Sequence, residues 1–142
     1  MLAKFCLLDT NWFIPQDTAN LFGAVRKHDI HTGIDIFIHE DAPVYLPFDG
    51  EVVKIGNFTG SNAEPTPSPW WNDTQYVIVK RTIPTFYWYG EPQDRYVLYG
   101  EICINPEMFV GCKLHEGDII GNIVQVLKND KGRPMSMLHI EQ

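Results

Sequence analysis

An imidazole and a carboxylate, His31 and Asp35, stand four residues apart in "HTGID", with Gly33 between them. Histidine nitrogen and carboxylate oxygen are both common metal ligands, so the pair could serve an ion if the chain brings them together. A helix would stack them on one face. The neighbours oppose a helix, because Ile30, Thr32, Ile34, Ile36 and Ile38 are β-branched and Gly33 weakens helices. Read as a strand, the β-branched residues share one face, and His31, Gly33, Asp35 and Phe37 share the other. A straight strand would hold His31 and Asp35 roughly 13 Å apart, too far for one ion. Joint action therefore requires a bend at Thr32–Gly33, where glycine adopts backbone angles that other residues resist.

Of the other histidines, His28 lies in the charged stretch "RKHD", His39 abuts Glu40 and Asp41, and His115 sits in the turn "KLHEGD". All three read as surface residues. His139 differs: it lies in the strand-like "MSMLHIEQ", where alternation places Met137, His139 and Glu141 on one face. On residue type alone, a strand histidine such as His139 reads as a hydrogen-bonded structural residue more often than as a ligand.

The elements available to position these groups are strands. The chain has 142 residues, 44% hydrophobic and 20% charged, enough for one domain with a real core. Residues 1–22 read as an irregular entry segment, followed by a domain over 23–142. Short β runs in "APVYLPFDGEVVKIG" are broken by Pro43, Pro47 and the Asp49–Gly50 turn signal. Residues 57–74 are polar and proline-rich and read as a long surface loop ending in Trp70–Trp71. "QYVIVKR" and "RYVLYGEICI" read as strands flanking an aromatic connection, with further strands in "LHEGDIIGNIVQVL" and "MSMLHIEQ". The expectation is an all-β, antiparallel domain with long surface loops.

Net charge is −7, and no basic cluster marks a nucleic-acid footprint. No stretch is apolar for long enough to span a bilayer. The start "MLAKFCLLDTNWF" lacks a small-residue cleavage site, which suggests a cytoplasmic protein or export by a non-classical route. Cys6, Cys103 and Cys112 form no C-x-x-C pair, and their expected role is that of small buried hydrophobes.

The run "RKHDIHTGIDIFIHEDAPVYLPFDGEVVKIG" resembles the opening of the lysostaphin-type (LytM-like) zinc metallopeptidases, with their His-x-Gly-x-Asp motif and later Asp-Gly-x-Val-Val strand. "YVLYGEI", "LHEGDIIGNI" and "SMLHIE" follow in the order of that family's Tyr-x-His-Leu, Gly-Asp-x-Ile-Gly and His-Leu-His-Phe-Glu segments. The resemblance implies a duplicated hybrid motif fold and one Zn2+ held by His31, Asp35 and His139. Two imidazoles and one carboxylate leave the open fourth position that a catalytic zinc needs.

The resemblance also exposes two departures. The family's two auxiliary histidines correspond here to Glu101 and Met137. Methionine can neither donate a proton nor stabilise an oxyanion. Glu101, expected to share a strand face with Val97, Tyr99 and Cys103, could act as general base, close the zinc as a fourth ligand, or be an exposed carboxylate with no role. The implied function is zinc-dependent hydrolysis of peptide bonds, with cell-wall (peptidoglycan-like) peptides among the candidate substrates. The alternative is a zinc-binding recognition module without turnover. Tyr99, Met137, Trp70 and Trp71 are expected along the substrate groove, with Tyr87 and Trp88 bordering it, the alternative being that Trp70, Trp71, Tyr87 and Trp88 simply pack their loops onto the sheet.

Overall fold

Alternating apolar residues bounded by turn signals become strands wherever the chain can bury one face. The computed structural model describes residues 7–8, 33–64, 66–82, 95–129 and 135–141. Among these no residue is helical, and nine strands form one antiparallel sheet. They are β1 (Leu7–Leu8), β2 (Ile34–Phe37), β3 (Pro43–Tyr45), β4 (Gly50–Thr59), β5 (Thr74–Arg81), β6 (Arg95–Ile104), β7 (Lys113–Leu114), β8 (Ile119–Ile123) and β9 (Met137–Glu141). The main path runs β1-β3-β8-β6-β5-β4-β7, while β9 pairs with β6 on one side and β2 on the other. The all-β, antiparallel expectation matches this architecture. No described helix is long and apolar enough to cross a membrane.

The core lies on one face of the sheet. Val77 and Val79 of β5, Tyr99 and Ile102 of β6, Ile120 of β8 and Leu138 of β9 are all fully buried there. At roughly 1.5–3 kcal/mol for each large apolar side chain, this burial is the main stabilising term.

β6 is where the sheet divides. Gly100 and the two residues before it pair with β9, and Ile102–Ile104 pair with β8. On the opposite edge, Tyr76 pairs with Gly100 and Gln75 with Ile102, which leaves Glu101 as the extra residue of a β-bulge. Its φ is +64°, the left-handed region that a non-glycine residue rarely enters. The bulge resets the alternation: Val97 and Tyr99 face the core before it, Ile102 and Ile104 after it. Glu101 therefore leaves the face of Val97 and Tyr99, which unbroken alternation would have it share, and lies off the core face as Cys103 does. Gly100 and Glu101 both fall off the core face. Cys103, expected to be buried, is exposed, and Cys112 is half-buried.

Other elements are shifted from the sequence reading. β4 continues to Thr59, so the first three residues of the expected 57–74 loop are strand. The rest is tied down: Asn72 donates its backbone N–H to Val126 and its side-chain amide to the Gln125 carbonyl at 3.0 Å. The Thr59 and Thr74 hydroxyls meet at 2.7 Å across the loop's base. In "LHEGDIIGNIVQVL" the strand β8 follows a His115–Asp118 turn, in keeping with the acidic glycine turn signal, and Leu114 ends the short β7 before it. Leu7–Leu8, within the segment expected to be irregular, pair with β3.

Candidate functional site

The strand register brings five residues into one line across the sheet. Gly56 of β4 opposes Tyr76 of β5, Tyr76 opposes Gly100 of β6, Gly100 opposes His139 of β9, and His139 opposes Asp35 of β2. Directly opposed side chains lie on the same face, about 4.5–5.5 Å apart at Cβ. Asp35 and His139, separated by 104 residues of chain, thus become neighbours.

His139 is held from both ends. Its Nδ1 lies 2.8 Å from Oδ1 of Asp35, and its Nε2 lies 2.8 Å from Oε1 of Glu141. Asp35 is 3% exposed and His139 5% exposed. Burial alone would lower the imidazole pKa. Hydrogen bonds to Asp35 and Glu141 and the negative charges of Glu101 and Asp35 outweigh it, raising the pKa to about 9. At neutral pH the ring is therefore an imidazolium that donates one N–H to each carboxylate. The charge of Glu101 reaches His139 because the bulge turns its side chain off the core face.

Gly33 sits against this pair at a bend in the chain, in keeping with the bend expected at Thr32–Gly33. A Cβ there would lie 2.5 Å from the Ile140 carbonyl oxygen, 2.8 Å from Cγ of Glu141 and 2.8 Å from Cε1 of His139. The backbone oxygen cannot yield without parting β2 from β9. Gly33→Ala is expected to cost about 1–3 kcal/mol, as overpacking does. Urea unfolding measures it, and wild-type stability would contradict so close an approach.

Imidazole nitrogen and carboxylate oxygen are donor types that bind metals. Nδ1 faces the Asp35 carboxylate, and Nε2–H is fixed by a second carboxylate, the outer arrangement that orients metal-bound histidines. An ion bound between Asp35 and His139 would take the place of the Nδ1 proton. Among the described residues no three His, Cys, Asp or Glu side chains form a metal-holding group. The third expected ligand, His31, lies outside the described residues, as do His28, Tyr87 and Trp88.

The expected groove residues do not come together. Tyr99 is fully buried in the core cluster, on the opposite side of β6 from Gly100. Met137 is buried and pairs with Phe37. Trp70 is 62% exposed and Trp71 half-buried, at the end of the loop that Asn72 ties to residues 125–127. His39 and His115 are exposed, as expected. Two contributors were missed from the sequence. Glu141 was legible, since i, i+2 spacing in a strand already puts it beside His139. Phe58, half-buried with its ring 5.3 Å from the His139 imidazole, was hidden because "NFTG" reads as loop.

No protein-family model matches the chain. No curated protein matches it either. Among solved structures it is similar to one described as "putative peptidase M23" from Pseudomonas aeruginosa, at 13% identity and a TM-score of 0.47. The match covers 89% of this chain and 45% of that one, so this chain spans under half the length of the neighbour.

Proposed function

We propose that the chain is a zinc-dependent, metallopeptidase-like hydrolase domain acting on peptide bonds, with cell-wall peptides among its candidate substrates. The observation that supports it most is the buried Asp35–His139 pair, carried on distant segments and backed by Glu141. His31, Asp35 and His139 would hold the ion, His31 by its place in the His-x-Gly-x-Asp motif. The bound ion supplies a polarised carbonyl and an acidified water. Glu141 would hold the Nε2 proton on its own side of the His139 ring, and Nδ1 would then be the nitrogen available to the ion. Glu101, buried at its bulge, would accept the proton of the attacking water and pass it to the leaving amine.

Metal analysis beside a peptide-cleavage assay tests this reading. The purified protein should carry zinc. His31→Ala should lower the zinc content sharply, because two remaining protein ligands hold the ion poorly. His28→Ala, three residues earlier, is the control and should not. Equal metal content in His31→Ala and wild type would overturn the ligand set. Zinc retained without cleavage of any peptide would assign the site to recognition instead.

A further inference from the structure

β4 is separated from β9 by two strands, yet Phe58 of β4 reaches His139 of β9. Two features of the chain make this contact. Asn57 pairs with Gln75 and Thr59 with Thr74, so Phe58 is the extra residue of a bulge in β4. Bulges redirect a side chain and recur beside functional sites. Between Phe58 and His139 lies Gly100, which has no side chain to block the path. Three carbons of the Phe58 ring lie 3.1 Å from where a Gly100 Cβ would stand. The ring is tilted 38° to the imidazole and meets Tyr76 edge-on at 6.1 Å between centroids.

The two carboxylates fix His139 within the plane of its ring, but hydrogen bonds at Nδ1 and Nε2 leave the ring faces to be covered by something else. An uncovered face would admit water to both ring-nitrogen–carboxylate contacts and weaken them by raising the local dielectric. We infer that Phe58 is the positioning residue for His139: its ring covers one face of the imidazole, and Gly100 is small so that it can. Two bulges, at Phe58 and Glu101, thus direct an aromatic ring and a carboxylate at the same histidine. The relevance of this contact to catalysis rests on the hydrolase reading. The contact itself does not, because it lies between two side chains of this chain.

The test uses metal-free protein in mildly acidic solution and reads exchange of the His139 ring N–H protons with water by nitrogen-edited NMR. Phe58→Ala should exchange them about tenfold faster or more, as local opening of a sealed site does. Phe58→Tyr keeps the ring and should restore wild-type exchange, which a general loss of stability would not produce. Where Phe58→Ala fails to fold, Phe58→Leu retains much of the volume without the ring and is read the same way. Gly100→Ala, which displaces the ring, should move exchange in the same direction. A folded Phe58→Ala or Phe58→Leu protein whose His139 protons persist as in wild type would overturn the inference. Because no metal enters the measurement, that failure is distinct from failure of the zinc site, which metal analysis alone decides.

Discussion

Replacing Asp35 by alanine is expected to destabilise the metal-free protein by about 3–5 kcal/mol, the usual cost of stranding one member of a buried ion pair. His139 is 5% exposed and would keep only the Glu141 end of its two carboxylate bonds. The loss should depend on pH in a defined direction. The folded pKa of His139 is raised to about 9 from 6.5. Its contribution is therefore fully present below pH 6.5 and is lost as pH rises through about 9. A shift of that size corresponds to stability on the order of 3 kcal/mol. Urea denaturation of metal-free wild type across this window should show declining stability toward alkaline pH. The Asp35→Ala protein should show a much flatter profile. A wild-type profile that is flat, or that rises with pH, would mean that His139 is buried neutral and that Asp35 is not its charge partner.

Glu101→Gln is expected to lower peptide cleavage by about 10²–10⁴-fold while zinc content is unchanged, the range of a lost general base. The amide preserves shape and removes the basic lone pair. The backbone at Glu101 makes this more than a generic carboxylate test. A non-glycine residue at φ +64° carries conformational strain, of order 1–3 kcal/mol for such outliers. Glu101→Gly should recover part of that stability and lose the cleavage, so the two properties move in opposite directions. Weaker zinc binding in Glu101→Gln, in a protein that never cleaved, would make the carboxylate a fourth ligand and the site closed. Unchanged cleavage and unchanged zinc would remove Glu101 from the chemistry.

Much of the fold was legible because β5 and β6 carry their own instructions. "QYVIVKR" and "RYVLYGEICI" are rich in β-branched and aromatic residues, and the structure places strands over Thr74–Arg81 and Arg95–Ile104. The Asp49–Gly50 signal likewise marks the start of β4. The site was legible only in its ingredients. "HTGID" and "LHIE" name Asp35, His139 and Glu141, but their meeting depends on which strands pair, and pairing is a tertiary choice. Bulges were harder still. Nothing in "YGEIC" says that Glu101, rather than the glycine before it, takes the left-handed conformation, so its face was misread and Tyr99 was assigned to a groove it does not reach. Phe58 failed for a related reason. A strand that ends in a bulge among Asn, Thr and Gly has a loop's composition.

The line Gly56–Tyr76–Gly100–His139–Asp35 makes the site a check on its own assembly. Sliding β9 by one residue against β2 would set Leu138 or Ile140 opposite Asp35 and turn His139 toward the core. Such a chain could still be compact and largely β, yet it would have no paired imidazole. The last link also spans 104 residues, a closure that comes late because its entropy is repaid only after the intervening strands are in place. A ribosome-bound chain whose β9 has not emerged, or a misregistered one, therefore lacks the centre altogether. Any hydrolytic chemistry at this histidine would be switched on by the completion of folding itself.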